Sequence, residues 1–331
     1  MTISPLAIFI NRVNRLSVMN EINFSSADLN LLKVFEALYE EGGAGRAAIR
    51  LGLTQSAVSA ALGRLRQLYG DHLFVRTGRG LKPTAKAQEL RPLIADALDK
   101  CRQSLALAAP NSANAVGRTL ALGLSDDYEI ALGGALIAAL PHSAPGLRLI
   151  LRQTHSLLAG EMLMARDIDL SLTAGGAAMR TLGRQVLGTG GYACVLDRRH
   201  PAATGTLSLD DYLHYAHILV SSGGFVGIVD ETLAAMGRQR KIRASTTHFA
   251  ALPHLLAGSD CLATLPWHAA RQLAENSGLC CIACPLALAP YSVELGWRAE
   301  SVRDPAVQQL KALVIAAAGQ RLGLAPPQSA L

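Results

Sequence analysis

No apolar run in the 331 residues reaches the roughly 18 that a membrane-spanning helix needs, so no membrane partner is expected. The apolar stretch at 5–10 has no basic residue ahead of it and no evident small-residue cleavage site after it. That argues against a secretion signal, and a cytoplasmic location follows. Catalytic signatures are missing as well. There is no Gly-x-Ser-x-Gly, no Walker loop, no His-Glu-x-x-His and no complete Gly-x-Gly-x-x-Gly after a strand. The cluster Gly188-Thr-Gly-Gly191 stands alone. The expectation is a protein that is not an enzyme and holds no cofactor. Cysteine is sparse: Cys101, Cys194, Cys261, Cys280, Cys281 and Cys284. Cys281-x-x-Cys284 has no second pair at zinc spacing and no nearby His, so no metal is expected. Cys280, Ile282 and Cys284 alternate as in a buried strand. Buried reduced thiols are the reading, with redox sensing as the alternative.

Acid is nearly absent from residues 46–86. Arg46, Arg50, Arg64, Arg66, Arg76, Arg79, Lys82 and Lys86 face only Asp71, a net of +7 where the whole chain carries +6. The charge is therefore local, which is how a nucleic-acid-binding module on a near-neutral body looks. Within this segment Val58, Leu62, Leu65 and Tyr69 recur at helical spacing and form one inward stripe. Ser56, Ser59, Ala60, Gly63, Arg64 and Gln67 lie opposite, small enough for another surface to come close. Gly63 inside a helix costs roughly 1 kcal/mol against Ala. Upstream, residues 43–51 read as a short helix with Ala47, Ala48 and Leu51 inward, closed by Gly52 as C-cap, and Thr54 suits the next N-cap. Leu31, Phe35 and Leu38 mark a further helix. Helix, glycine turn, helix is the arrangement whose second helix enters a major groove. Leu73, Phe74 and Val75 read as buried and extended and residues 77–80 as a turn, giving a wing that presents Arg76, Arg79 and Lys82 to phosphates or a minor groove.

These residues resemble a family. Asp28-Leu-Asn-Leu-Leu32, Ala47-Ala48, Leu51, Thr54-Gln55-Ser56-Ala57-Val58-Ser59, Leu62, Leu65, Gly70, Leu73-Phe74 and Arg76 are similar to the LysR-type transcriptional regulators, closest to the NodD and NahR-like branch. Ser56, Gly43, Gly45 and Arg66 stand where the family often has Pro, Ser, Thr and Glu. The resemblance implies an α/β protein: an N-terminal winged helix-turn-helix plus linker helix, then a C-terminal two-lobed periplasmic-binding-protein-like α/β domain. It implies double-stranded operator DNA, a small-molecule effector and a second copy of the chain as partners, as a homodimer or homotetramer, with RNA polymerase as a further partner. The DNA-binding residues would be Thr54, Gln55, Ser56, Ser59, Arg64, Arg76, Arg79 and Lys82.

The length gives a prior of two or three domains, and half of the residues are hydrophobic, enough for a sizeable core. Residues 1–26 hold no periodic pattern and read as a disordered, dispensable extension, with Met19 a natural start. The winged helix-turn-helix takes 27–85 and a linker helix 86–110. In the linker, Leu90, Ile94, Ala97, Cys101 and Leu105 form a seam, with Leu93 and Leu98 beside it, expected to pair two copies. Pro92 should kink or interrupt it. Residues 108–114 read as a hinge. The effector domain takes 117–320, with lobe one at 117–190 and 290–320 and lobe two at 191–289. It alternates strands (119–124, 147–152, 168–173, 192–196, 217–221, 241–245, 261–264, 280–284, 291–298) and helices (128–140, 156–165, 227–236, 248–257, 266–275, 304–318), which implies parallel sheets. Ligands in such folds bind outside strand C-termini. Ser125, Thr154, Thr173, Ser221, Ser222, Thr247, His248 and Phe249 sit there, Ser125 ahead of a helix whose amides could hold an anion. Arg152 and His155 could add charge for an acidic effector. The function expected is a sequence-specific DNA-binding regulator controlled by an organic or aromatic acid. The alternative is an enzyme or solute-binding protein using the C-terminal fold.

Overall fold

The computed structural model describes residues 28–78, 80–108, 118–175, 181–221 and 224–326. Arg79, Ser222, the 1–26 extension and most of the 108–114 hinge lie outside them. The chain forms two compact units, divided after Arg102.

The first unit packs three helices, α1 (Asn30–Glu41), α2 (Ala44–Leu51) and α3 (Gln55–Tyr69), with a hairpin of β1 (Phe74–Thr77) and β2 (Gly80–Pro83). Its core joins Val34, Phe35 and Leu38 to Ala47, Val58, Leu62, Leu65, Leu73 and Phe74. Gly42, Gly52 and Gly70 each close a helix in the left-handed region, at φ 59°, 66° and 63°. The reading of 73–75 needs correction. Leu73 is buried but left-handed, at φ 58°, and Val75 is 43% exposed. Asp71 holds Leu73 in this conformation: its Oδ1 accepts from the Leu73 amide at 2.5 Å and from the Thr84 hydroxyl at 2.8 Å. The Leu73 carbonyl in turn accepts from the Thr84 amide at 2.9 Å.

The helix α4 (Ala85–Ala108) runs through Pro92 without a break. Its seam also differs. Ile94 and Leu98 are buried in the winged-helix core and Leu90 packs against it. Leu93 (67%) and Leu105 (71%) are exposed, as are Ala97 and Cys101. The three-dimensional core claims the residues nearest it, so the exposed stripe is Leu93, Ala97, Cys101 and Leu105.

The second unit has two five-stranded sheets. One contains β3 (Thr119–Leu124), β4 (Arg148–Gln153), β5 (Leu170–Ala174), β6 (Leu182–Gly190) and β12 (Tyr291–Arg298), in the order β4-β3-β5-β12-β6. The other contains β7 (Tyr192–Asp197), β8 (Ala216–Val220), β9 (Lys241–Thr246), β10 (Cys261–Pro266) and β11 (Leu279–Ala283), in the order β11-β7-β10-β8-β9. The chain crosses between sheets at 190–192 and again at 284–290. The sheets are mixed rather than parallel: β12 runs antiparallel to β5 and β6, and β7 antiparallel to β10 and β11. Strands that arrive from the other sheet are not fed by a right-handed helical crossover, so nothing forces them parallel.

Helices α5 (Asp126–Ser143), α6 (Ser156–Met164) and α11 (Pro305–Arg321) accompany the first sheet. Helices α7 (Leu209–His214), α8 (Ile228–Ala235), α9 (Leu252–Leu256) and α10 (Trp267–Asn276) accompany the second. Strand β6 and helix α7 were absent from the sequence reading. β6 contains the glycine cluster, which serves packing: a Cβ on Gly188 would come 2.5 Å from the Ala325 carbonyl, and one on Gly190 would collide with the Tyr291 ring.

Candidate DNA interface and effector cleft

Helix α3 buries Val58, Ala61, Leu62 and Leu65. That fixes its rotation and turns Gln55, Ser56, Ser59, Ala60, Arg64 and Gln67 to the surface. Thr54 caps it, its hydroxyl accepting from the Ala57 amide at 3.2 Å and lying 3.0 Å from Ser56 Oγ. A Cβ on Gly63 would meet nothing within 4 Å, so the groove side of the helix is open there.

The cations divide into groups that their neutral listing in the sequence does not show. Arg50 is bound to Glu40 and, at 3.3 Å, to Glu41. Arg46 donates to the Glu41 carbonyl at 2.7 Å. Arg66 donates to the carbonyls of His72 (2.8 Å) and Phe74 (3.0 Å), bracing the approach to the hairpin. Arg64 pairs with Asp28 at 3.2 Å, with both side chains well exposed. Such a pair contributes about 0–1 kcal/mol and opens readily toward a phosphate or base. Among the described residues the side chains of Arg76 and Lys82 make no hydrogen bond or ion pair. They occupy neighbouring strands, with Arg76 opposite Leu81 and Lys82 opposite Val75. The hairpin is anchored to the body by Leu81, whose amide donates to the Gly42 carbonyl at 2.8 Å. Gly80, at φ 137°, permits that approach: a Cβ there would lie 2.5 Å from the Gly42 oxygen.

In the second unit, Ser125 follows β3 and Thr154 follows β4. The two strands are adjacent and parallel, and the Thr154 amide donates to the Leu124 carbonyl at 3.0 Å. Thr154 is buried and its hydroxyl has no partner among the described residues. Thr173, also buried, spends its hydroxyl on the Gly175 carbonyl at 2.6 Å. On the second sheet Ser221 follows β8, its amide donating to the Thr246 carbonyl at 2.9 Å. Thr247 and His248 are exposed and Phe249 is half-buried at the end of β9. The two sheets meet here. Asp126 Oδ2 accepts from the Ala250 amide at 3.0 Å, which brings the start of α5 against the Thr247–Phe249 junction. Ser125, Thr154 and that junction are therefore brought near one another, whereas the Thr173 hydroxyl already has a partner.

The sequence reading missed the polar chain beside this edge. The Ser125 hydroxyl donates to Asp127, whose other oxygen lies 3.1 Å from His268 Nε2. His268 Nδ1 is 3.2 Å from the Tyr291 hydroxyl, and its ring stacks on Tyr128 at 4.7 Å. Asp127 comes from α5, His268 from α10 and Tyr291 from β12, so no local pattern could have revealed it. Burial raises the Tyr291 and Tyr128 phenols above their ordinary range. Burial also raises Asp126, against the pull of the Ala250 amide. The first turn of α5 carries Asp126, Asp127 and Glu129. An anion at that N-terminus would therefore meet carboxylates.

Among the described residues no group of three or more His, Cys, Asp or Glu side chains is placed to hold a metal ion. No described helix is long and apolar enough to cross a membrane.

Residues 29–88 match the family model for the bacterial regulatory helix-turn-helix protein, lysR family, and residues 113–319 match that for the LysR substrate binding domain. The transcriptional activator NahR of Pseudomonas putida is 32% identical over 288 residues, which span 87% of this chain and 96% of that protein. The activator NagR of a Ralstonia species is 30% identical over 289 residues, with the same coverage of 87% and 96%. A probable transcriptional regulator from Pseudomonas aeruginosa of known crystal structure is 34% identical, covers 86% of this chain and 97% of its own, and superposes with a TM-score of 0.68. The winged helix-turn-helix, the paired sheets and these matches agree: the chain belongs to the LysR family of transcriptional regulators, which bind DNA through the N-terminal domain and respond to a small molecule in the C-terminal one.

Proposed function

We propose that α3 reads the operator with Gln55, Ser56, Ser59 and Arg64 at base edges or nearby phosphates, with Thr54 fixing its first turn. Arg76 and Lys82 hold the backbone or enter the minor groove, and Arg79 belongs with them by its place in the sequence. The observation that carries this reading is the pairing pattern. Arg46, Arg50 and Arg66 are engaged within the fold, while Arg76 and Lys82 remain available and Arg64 is held only by an exposed pair. Two copies pair through Leu93, Ala97, Cys101 and Leu105 of α4, as a homodimer or as part of a homotetramer. Their recognition helices would then lie about 34 Å apart or a multiple of it.

The effector is an organic or aromatic acid bound between the sheets against Ser125, Thr154 and the Thr247–Phe249 junction, with Thr173 and Ser221 as further contacts and Ser222 belonging with them by its place in the sequence. The unpartnered Thr154 hydroxyl supports this placement. The carboxylates of α5 direct the acid group of the effector toward His248 and its hydroxyl or ring toward Asp126. The protein works in the cytoplasm without an enzymatic step, and its regulatory output passes through RNA polymerase. Selection of bound sequences from a random duplex pool tests the DNA assignment. A defined operator should emerge, and Arg64→Ala should relax one position of it. A pool that stays random with the intact protein would overturn the reading.

A further inference from the structure

The sequence drew attention to Cys281-x-x-Cys284, but the fold pairs its cysteines otherwise. Strand β11 lies antiparallel to β7 with Ile282 opposite Cys194. Side chains two apart on a strand share a face, so Cys284 is the diagonal neighbour of Cys194 on the same side of the sheet. Both belong to one cluster with Leu196, Tyr212 and Leu286, on the face away from Cys281, which packs into a different core. The two thiols influence each other's protonation in opposite directions. Cys194 is fully buried on a strand flanked by two partners, β10 and β11. Cys284 is half-buried and lies one residue past the end of β11, at the start of the 284–290 crossover, where no ladder pairing fixes it. Both are reduced.

We propose that Cys194 and Cys284 are a dithiol pair that a hydroperoxide oxidises to an intramolecular disulfide. Cys284 is the attacking thiol. Its environment favours the thiolate: interaction with Cys194, the Leu286 amide and the positive charge of Arg240 hold its pKa below the ordinary thiol range despite burial. Cys194 stays protonated, with its own pKa pushed well up by interaction with Cys284 and by burial.

The Cys284 thiolate attacks the O–O bond of the peroxide. An S–O bond forms, the O–O bond breaks and the departing oxygen leaves as water or an alcohol, giving a sulfenic acid on Cys284. The Cys194 sulfur then attacks Cys284, the S–S bond forms, and the hydroxide that leaves takes the Cys194 proton as water. Two thiols lose two electrons and one peroxide gains them. A diagonal pair starts wider than disulfide geometry allows, and the unladdered position of Cys284 lets it close the gap. The bond would tie the crossover segment between the two sheets to β7.

The test treats the full chain with equimolar hydrogen peroxide, alkylates remaining thiols, and maps disulfides by peptide mass. The expected product is a Cys194–Cys284 crosslink. Cys194→Ser should instead leave a sulfenic acid on Cys284 that a dimedone probe captures. Cys284→Ser should abolish both. Alkylation by iodoacetamide should become half-maximal at lower pH for Cys284 than for free glutathione in the same solution. Unchanged thermal unfolding of the two serine variants guards against misfolding, and conservative Cys→Ala variants repeat the test should either fail to fold. Crosslinking of Cys284 to Cys280 or Cys281, oxidation confined to Cys101, or no crosslink before unfolding would each overturn the proposal.

Discussion

Replacing Leu93 and Leu105 together by glutamate separates two roles that α4 carries. Both leucines are exposed, at 67% and 71%, and their truncation removes no core packing. Surface changes of this kind alter stability by about 0.5 kcal/mol or less. If two copies pair along this stripe, four leucines leave the interface, two from each chain. At about 1.5 kcal/mol for each buried leucine, the loss is about 6 kcal/mol. That weakens the dimer about ten-thousand-fold, at 1.4 kcal/mol per factor of ten. The neighbouring positions should behave in the opposite way. Ile94 and Leu98 are 4% and 6% exposed in the winged-helix core. Ile94→Ala should cost the N-terminal unit about 2–5 kcal/mol while leaving the exposed stripe untouched. Analytical ultracentrifugation with thermal unfolding on the same samples reads both quantities. The double glutamate variant should sediment as a folded monomer, and Ile94→Ala should melt early. A double glutamate variant that remains a dimer at micromolar concentration would refute the placement of the seam.

Lys82→Ala should weaken binding to specific and random duplexes alike and reduce the salt slope by about one ion, measured by anisotropy titrations at several salt concentrations. Arg64→Ala should instead cost about 1–3 kcal/mol on the selected operator and little on random DNA, if it reads a guanine. Stability should fall as the pH drops from about 6.5 to about 4. His217 is held down to about 4, by burial first and then by Arg240, so the unfolded chain binds the proton first. The shift corresponds to about 3 kcal/mol, present above pH 6.5 and lost on acidification. Urea unfolding across that range should show a shallower fall for His217→Asn. Gly188→Ala should lower the melting temperature, because its Cβ would strike the Ala325 carbonyl at a φ of 156°.

The strand at 291–298 and most of the other strands and helices could be read from the sequence, because their apolar periods are short-range. The turn glycines, the Thr54 cap and the inward stripe of α3 were readable for the same reason. What could not be read depends on contacts between distant residues. Leu90, Ile94 and Leu98 form as good a helical stripe as Leu93, Ala97 and Cys101, and only the position of the winged-helix core decides which is buried. β6 was hidden because its glycines answer to Ala325 and Tyr291 rather than to any alternation of their own. The antiparallel entry of β12 follows from the chain's return from the other sheet. At the cleft the hydroxyls at strand ends were accessible to a topological rule. The Asp127–His268–Tyr291 chain draws on residues up to 164 positions apart and was not. The basic segment was readable as charge, but the division between engaged and available arginines required their partners.

The most direct test of a ligand-controlled DNA-binding protein is operator affinity measured by anisotropy with and without a panel of small aromatic and aliphatic acids. Wild type is compared with the Ser125→Ala, Thr154→Val double variant. A ligand shifts affinity only by its difference in binding to the two forms of the protein, so one or more acids should change the wild-type operator Kd. The double variant should keep the ligand-free Kd and lose that change. A double variant that responds as wild type does would contradict the account.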